Sequence, residues 1–257
     1  MTHTFSDNFQ IILANTHETR LACHQLRYDV YCKEFGFESA KAFPDGLEWD
    51  TFDEWSTHYL IRTETTHESV GTVRIVNANP RLGRLTPIER LYAVKYPEQP
   101  CPFEPQTNFC EISRLTLAQK FRRQSSTPNA RDSIEPISSR AAPLLYLTLV
   151  YHLLNQSDYR RAYAMLEPRL GRHIARIGFP VRRLGEVVDY HGQRAPFEVQ
   201  VEGLYDALSP WLRRCYDDVA SEIKSADQLV VKRPRMPLSG GIITPRPALL
   251  FPRLAIE

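Results

Sequence analysis

The pattern of apolar and polar positions along the chain predicts strands that alternate with helices. Short runs rich in β-branched and aromatic residues are typical of strands, and they are FQIILA at 9–14, HYLIRT at 58–63, SVGTVRIV at 69–76, FCEISRLTL at 109–117 and AYAMLE at 162–167. The segments VRRLGEVVDY and APFEVQV flank HGQR, which predicts a closing hairpin near the end of the series.

Apolar residues at helical spacing predict four helices, over 17–33, from Ser138 or Ser139 to about 156, over 169–178 and over about 209–225. The stretch 35–55 reads as a loop or short helices, and residues 77–108, which hold several prolines, as mostly irregular chain. The alternation predicts an α/β or α+β fold with one mostly antiparallel, twisted sheet flanked by helices.

The same pattern predicts how the chain is divided. Residues 1–227 read as a single domain with a polar inserted loop at about 118–138. Five prolines after residue 230 indicate an extended tail, which we place at 228–257.

Composition narrows the class of protein. The 257 residues are 42% apolar and 24% charged, which is enough for a packed core, and the net charge of +2 gives no basic field for nucleic acid or an anionic membrane. The five cysteines form no C-x-x-C pair, which favours a reducing compartment over a disulfide scaffold or a zinc site. The amino-terminal residues do not resemble an export signal, and the longest apolar stretch, at 142–154, is too short to cross a bilayer. We therefore expect a cytoplasmic protein without an integral membrane segment.

Four charged clusters occur in a fixed order. They are LRYDVYCKEFGF with Arg27, Tyr31 and Phe37, EWDTFD with Asp50 and Asp53, VGTVRIV with Arg74, and EISR with Glu111 and Arg114. This order resembles the pattern of acyl-homoserine-lactone (autoinducer) synthases over roughly residues 9–117. The layout, with the run EPRLGRHIARIGFPVRRLGEVVDYHGQRAPF, is more similar still to the PEP-CTERM/exosortase system-associated acyltransferases, which are relatives of those synthases and of N-acyl amino acid synthases.

The resemblance implies a GNAT-type fold and a reaction. It implies transfer of a long-chain acyl group from an acyl carrier protein or CoA thioester to the amine of an amino acid or similar small molecule, with no permanently bound cofactor. Phe37 stands where autoinducer synthases usually carry Trp, and no G-x-G or G-x-A follows the Glu111 strand to hold a pyrophosphate. The second departure favours acyl carrier protein over free CoA as the donor.

Glu111 and Arg114 are the candidate catalytic pair. An attacking amine is mostly protonated at neutral pH, and a carboxylate near the acceptor can accept the proton that it must lose. The alternative is a structural salt bridge between the two residues. Positions i and i+3 of a strand lie on opposite faces, so direct pairing would require a bulge.

The remaining candidates are assigned to substrate binding. Arg27, Tyr31, Phe37, Asp50, Asp53 and Arg74 are expected to bind the acceptor or to hold one another in a network, since a buried Arg needs partners. The alternatives are a solvated acidic loop and surface arginines.

Arg122 and Arg123 follow the central strand and are candidates for the phosphate of the phosphopantetheine arm, although a solvated loop is equally compatible. Tyr163 is a candidate donor of a proton to the leaving thiolate. His173 and His191 lack a matching ligand set, so no metal is implied. Two other functions stay open: an acyl-homoserine-lactone synthase that uses S-adenosylmethionine, and a non-catalytic protein that binds acyl ligands.

Overall fold

In a computed structural model of the chain, residues 8–79, 82–98, 108–122, 137–156 and 158–231 are described. Their strands are β1 (Phe9–Leu13), β2 (Ser56–Thr63), β3 (Ser69–Asn77), β4 (Phe109–Leu117), β5 (Arg161–Leu166), β6 (Arg182–Arg183), β7 (Val188–Asp189) and β8 (Gln193–Gln200). Every strand predicted from the apolar runs is confirmed, and the closing hairpin is formed by β7 and β8.

These strands form an open, mostly antiparallel sheet in the order β1-β2-β3-β4-β5-β8-β6, with β7 paired to β8. Only β4 and β5, among the described strands, run parallel, and they pair over just three positions, from Phe109 opposite Arg161 to Glu111 opposite Tyr163. Both strands continue beyond these pairs. They therefore separate on the carboxyl side of Glu111 and leave an opening in the middle of the sheet.

The helices are α1 (His17–Tyr28), α2 (Pro87–Lys95), α3 (Gln119–Arg122), α4 (Ile137–Asn155), α5 (Pro168–Arg176), α6 (Leu204–Ala207) and α7 (Pro210–Val231). A π-helical turn, Asp29–Glu34, extends α1, and two 3₁₀ turns, Ala40–Ala42 and Thr51–Trp55, interrupt the loop before β2. The α4 helix is buried along most of its length against the sheet and α7, which forms the main apolar core. A mixed α/β architecture with helices flanking one sheet was the prediction, and it is confirmed.

Residues 77–108 were predicted to be mostly irregular, and that prediction missed α2, which lies within them. Thr86 is its N-cap: the Thr86 hydroxyl accepts from the Glu89 N–H at 3.3 Å, and the Glu89 carboxylate accepts from the Thr86 N–H at 2.7 Å. Pro87 occupies the first helical turn, where its missing N–H costs no hydrogen bond. A proline that starts a helix had been interpreted as one that prevents it.

Two details of the helices also differ from the prediction. The α7 helix ends at Val231 rather than near 225, and Pro143 lies inside α4 rather than in its first turn. Most of the predicted inserted loop, residues 123–136, and most of the predicted tail, residues 232–257, lie outside the described residues. The division into a domain over 1–227 and a tail over 228–257 stays a prediction.

Candidate active site

A β-bulge in β4 sets the direction of the Arg114 side chain. Two steps along β3, from Thr72 to Arg74, match three steps along β4, from Thr116 to Ser113. Arg114 adopts a positive φ of 49° at this point, which is uncommon for a residue other than glycine. The bulge breaks the strict alternation of faces, so that Arg114 and Glu111 line the same cleft.

The two residues nevertheless do not form the salt bridge that was the alternative interpretation. Arg114 donates to Glu48 at 2.9 and 3.1 Å and to Glu38 at 3.3 Å, and it stacks over the Tyr31 ring at 5.3 Å. The Glu111 carboxylate instead accepts from the backbone N–H of Ile88 at 2.8 Å.

Glu48, which the sequence analysis did not select, joins two of the arginines. It is buried and accepts from Arg27 through one carboxylate oxygen and from Arg114 through the other. Burial alone would raise the pKa of Glu48, but the Arg114 and Arg27 guanidinium groups outweigh it and lower that pKa to about 2. Glu48 is therefore an ionised group in the interior, fully paired with arginine.

Asp53 is a second buried carboxylate that joins two of the arginines, Arg27 and Arg74. It accepts from Arg27 at 2.7 and 3.1 Å and from Arg74 at 3.1 Å. Asp50 accepts from the same Arg74 nitrogen at 2.5 Å, and Ser113 accepts from Arg74 Nε at 2.9 Å. The structure thus brings Arg27, Asp50, Asp53 and Arg74 into one connected ionic network.

Burial distinguishes this network from a surface cluster. Arg27 and Arg74 are 0% and 1% exposed, so neither is a surface arginine. Burial tends to raise the pKa of Asp53, and the two arginines more than offset it, which keeps that carboxyl ionised. The cost of burying these charges is offset only while each has its partners.

Glu111 has a different environment from the other acids. It is 3% exposed and lies at the amino terminus of α2, where the Ile88 N–H faces its carboxylate. Burial raises the pKa of Glu111 to about 8, although the hydrogen bonds from Ile88 and Thr86 and the charges of Arg74 and Arg114 oppose the rise. A carboxyl with a pKa near 8 can accept a proton from an amine at moderately alkaline pH.

A polar cleft opens at Glu111 and Arg114. It is lined by residues from the π-helical turn and the loop after it, from β4, from β5, from the start of α5 and from the β7–β8 hairpin, among them Tyr31, Phe37, Glu38, Tyr190, His191 and Arg194. The predicted Tyr31 and Phe37 therefore lie at the cleft. Tyr31 also donates to the Leu115 carbonyl at 3.5 Å.

An apolar pocket adjoins the polar cleft. Its wall is built from α4, β4, β5, α5 and β8, and it is lined by aliphatic and aromatic side chains such as Tyr146, Leu149, Ala164 and Phe179. Ile112, Leu115 and Leu166 line both the pocket and the cleft. The two cavities are therefore neighbours at the place where β4 and β5 separate.

Arg122, one of the two candidate phosphate ligands, is not among the described residues that line this cleft. Arg122 forms an ion pair with Glu34 and stacks over the Phe35 ring at 4.7 Å. Arg123 lies outside the described residues. Tyr163, the candidate proton donor, is 2% exposed and packs edge-on against Phe109 in a separate apolar cluster.

One group of described residues has the donor atoms for a metal ion. Ligand atoms of His24, Asp53 and His58 lie within 4.8 Å of one another. Asp53 Oδ1 already accepts from Arg27 and Arg74, and these two guanidinium groups would repel a divalent cation. Burial lowers the pKa of His58 to about 3, so His58 is a neutral side chain within the network. The group does not fit a metal ion well.

Comparison with known proteins agrees with this architecture. Residues 26–129 match the family model of the acetyltransferase (GNAT) domain. The fold is similar to that of the acyl-homoserine-lactone synthase LasI, with a TM-score of 0.54 and 17% identity over 78% of this chain and 94% of that one. For FeeM, an N-acyl amino acid synthase from uncultured soil microbes, the TM-score is 0.53 and the identity is 13%, over 78% of this chain and 94% of that one. For the CoA-dependent acyl-homoserine-lactone synthase BjaI, the TM-score is 0.53 and the identity is 18%, over 83% of this chain and 89% of that one.

At these identities the solved structures show the shared fold alone. The sequence matches no curated protein. The matched domain and the fold together define the class of domain: the chain contains an acetyltransferase (GNAT) domain and has the GNAT fold. Within the described residues, no helix has both the length and the apolar character needed to span a bilayer.

Proposed function

We propose that this enzyme is an N-acyltransferase that moves a long-chain acyl group from an acyl carrier protein or CoA thioester to the amine of an amino acid or similar small molecule. One observation carries the proposal: an apolar pocket meets a polar cleft at Ile112, Leu115 and Leu166, beside Glu111. An acyl chain needs the first environment, and an amine attacking a thioester needs the second.

The reaction would occur where the cavities meet. The acyl chain would enter the apolar pocket and leave its thioester carbonyl at the opening between β4 and β5. Glu111 would take a proton from the acceptor amine, directly or through one water. Backbone N–H groups beside the Glu111 strand would donate to the oxyanion of the tetrahedral intermediate.

The ionic network would position the acceptor. Arg114 lines the cleft, and Glu48 and Asp53 hold Arg114, Arg27 and Arg74 in place. Asp50 and Glu38 are 27% and 24% exposed, so their carboxylates can reach a ligand. They would orient the cationic amine before Glu111 deprotonates it.

The donor is proposed to be an acyl carrier protein thioester in preference to CoA, because no glycine pair follows β4 to hold a pyrophosphate. This makes the cytoplasm the proposed place of action. The proposed biological setting, beside a PEP-CTERM/exosortase system, rests on the resemblance of the sequence.

A coupled assay tests the proposal. Purified protein is mixed with long-chain acyl carrier protein or acyl-CoA and a panel of amines, and thiol release and the acylated product are measured. Lipids extracted from a host that expresses the wild type or Glu111→Gln identify the acceptor by mass spectrometry. No thiol release with any pair of substrates, or no acylated product beyond that of a host without the protein, would refute the proposal. Equal product from wild type and Glu111→Gln would refute only the role of Glu111 as the base.

A second candidate is an acyl-homoserine-lactone synthase that uses S-adenosylmethionine. Two partly exposed carboxylates favour it, that of Glu38, which lines the cleft, and that of Asp50, which lies 3.4 Å from Arg114 of the cleft, because they suit a sulfonium cation as well as an ammonium. BjaI has been solved with S-adenosylmethionine and isopentyl-CoA. An acyl lactone in the extract would identify this function, whereas an open-chain N-acyl product would exclude it.

A further inference from the structure

The first turn of α2 leaves a backbone donor for Glu111. A helix begins with N–H groups that have no partner inside the helix. Here Pro87 has no N–H, and the Glu89 N–H donates to the Thr86 hydroxyl at 3.3 Å. The Ile88 N–H donates outside the helix, to Glu111 Oε2 at 2.8 Å. The order Thr-Pro-Ile-Glu therefore directs one N–H of this turn at the carboxylate.

Thr86 holds this turn in place. It is buried, and its backbone N–H donates to the Glu89 carboxylate at 2.7 Å, so that the two residues cap the helix reciprocally. The Thr86 hydroxyl also interacts with the Glu111 carboxylate. A hydroxyl that accepts from one N–H still has its own proton to donate. The same hydroxyl therefore serves both the turn of the helix and Glu111.

These contacts reach Glu111 from behind the polar cleft. Glu111 lines the cleft, whereas Thr86 is not among the residues that line it. Thr86 is thus not placed to touch a substrate, and any effect on the reaction has to act through Glu111. The partial positive charge at the start of a helix and hydrogen bonds to a carboxylate both favour the ionised carboxylate.

We propose that Thr86 is a positioning residue for Glu111: its hydroxyl and the turn that it caps hold the Glu111 carboxylate at the cleft and favour its ionised form, an inference that rests on the proposed function. Only the ionised form of Glu111 can take a proton from the acceptor amine. Thr86 therefore determines how much of the base is available at neutral pH.

The electrostatic surroundings make this contribution important. Burial raises the pKa of Glu111 to about 8, and the contacts with Ile88 and Thr86 act against the rise, as do the charges of Arg74 and Arg114. Without Thr86, burial would raise that pKa further. A smaller fraction of Glu111 would then be ionised at pH 7.

The charged and titratable neighbours of Glu111 come from several elements. They are Arg74 on β3, Cys110 and Arg114 on β4, Tyr163 opposite Glu111 on β5, Tyr190 at the β7–β8 hairpin and Glu89 on α2. Glu38, His191 and Arg194 line the same cleft. None of these side chains is altered in a Thr86 variant, so a change in the titration of Glu111 reports the loss of the Thr86 hydroxyl.

Thr86→Val tests the proposal, because valine keeps the shape of the side chain and lacks the hydroxyl. Glu111 is followed by NMR in protein labelled with ¹³C-glutamate, where its signal is the one missing from Glu111→Gln. The titration midpoint of Glu111 should rise by about 1 to 2 pH units, the effect of losing one hydrogen bond to a charged group.

The kinetics should follow the same shift. At pH 7 the kcat of Thr86→Val should fall by about 10- to 100-fold, and above the new midpoint it should return to within a few-fold of wild type. The acceptor amine titrates alike with both proteins, so the ratio of their kcat values reports Glu111. A merely structural defect would instead lower kcat at every pH.

Two further variants separate the hydroxyl from the fold. Thr86→Ser keeps a hydroxyl and should restore the wild-type midpoint and pH profile. Glycine at an N-cap costs a helix little stability but has no hydroxyl. Thr86→Gly should therefore show the upward shift even if Thr86→Val does not fold.

Thr16→Val is the matched control. Thr16 caps α1 in the same way, since its hydroxyl accepts from the Thr19 N–H at 3.2 Å, and it does not line the cleft. Losing this cap should lower the thermal unfolding midpoint by about 2–4 °C. The titration of Glu111 and the pH profile of kcat should stay as in the wild type.

Three outcomes are decisive. A Glu111 midpoint that stays at the wild-type value in both Thr86→Val and Thr86→Gly would overturn the role of Thr86 while the proposed function stands. A kcat lowered by the same factor at every pH would do so as well. A wild-type protein inactive on every thioester and amine would refute the proposed function, and the NMR midpoint alone would then decide whether Thr86 sets the ionisation of Glu111.

Discussion

Arg27 and Arg114 share one carboxylate, since Glu48 accepts from the first through Oε2 and from the second through Oε1. Arg27 lies on α1 and Arg114 on β4. The contact therefore ties the first helix to the strand that carries Glu111. Glu48 is 1% exposed, so these charges are paired inside the protein rather than on its surface.

Replacing Glu48 by Gln should destabilise the protein strongly. The amide keeps the size of the side chain but leaves Arg27 and Arg114 with one uncompensated buried charge. Breaking a buried ion pair by removing one partner costs about 3–5 kcal/mol. Urea unfolding of the variant measures the loss.

The control for this variant is Glu54→Gln, which makes the same change at an exposed position six residues away. It should alter the free energy of unfolding by no more than about 0.5 kcal/mol. If the two variants unfold at the same urea concentration, the network contributes nothing to stability.

The network also predicts the response to acid. The pKa of Glu48 is about 2 in the folded protein, against about 4.3 in an unfolded chain, and that of Asp53 is lowered in the same direction. The unfolded state then binds more protons than the folded state below pH about 4. Stability is present at neutral pH and is lost as the pH falls from about 4 to 2.

Unfolding free energies measured at several pH values test this. Between pH 4 and 2 the slope of stability against pH should be steep for the wild type and shallower for Glu48→Gln, which lacks one of the two titrating groups. Parallel slopes for the two proteins would mean that Glu48 titrates alike in the folded and unfolded states.

Local patterns predicted the strands and most of the helices, because burial of one face produces a period that is visible in the sequence. They also selected Arg27, Asp50, Asp53, Arg74, Glu111 and Arg114, which the structure brings to one site. These six residues were selected through the resemblance to autoinducer synthases, because the spacing of apolar residues does not indicate which charged residues form a site. The roles of these residues remain proposals.

Other features depend on contacts between distant parts of the chain. Glu48 sits in a polar loop beside an exposed Trp49 and has the local signature of a solvated acid, yet it pairs with Arg114, which is 66 residues away. The Arg114 bulge exists only in the register between β3 and β4. Tyr190 reaches the cleft because a hairpin folds back over it. No signal near Glu48 or Tyr190 marks either position.

The apolar pocket predicts control over the length of the acyl chain. Ala164 is 8% exposed, lies on β5 and lines the pocket. Replacing it by Leu would fill part of the space that a long chain needs. We expect kcat/KM for a long-chain donor to fall by about tenfold, because a few methylene groups of the acyl chain would no longer be buried. A short-chain donor should be little affected.

Ala175→Leu is the matched control, because Ala175 is exposed on α5 and does not line the pocket. Its preference for chain length should equal that of the wild type. If Ala164→Leu lowers the rates for long and short chains in the same proportion, the pocket does not hold the acyl group.

Glu111→Gln separates a catalytic from a structural role for Glu111. The Gln side-chain oxygen can still accept from the Ile88 N–H, so α2 should keep its amino-terminal contact. Because the pKa of Glu111 is about 8 in the folded protein, the folded state binds more protons than the unfolded state between pH about 4.5 and 8, and the wild type loses stability as the pH rises through that window. The variant lacks this loss, so at pH 8 it should be more stable than the wild type, on the order of a few kcal/mol.

Activity should change in the opposite direction. Without the base, kcat should fall by about 10²- to 10⁴-fold at pH 8. Wild-type kcat should rise with pH through about 8, as Glu111 loses its proton. The variant's kcat should rise only where the acceptor amine itself becomes neutral, so the deficit should narrow at still higher pH. A folded variant with wild-type kcat at every pH would mean that Glu111 only caps α2, and that the amine loses its proton to water held by backbone carbonyls.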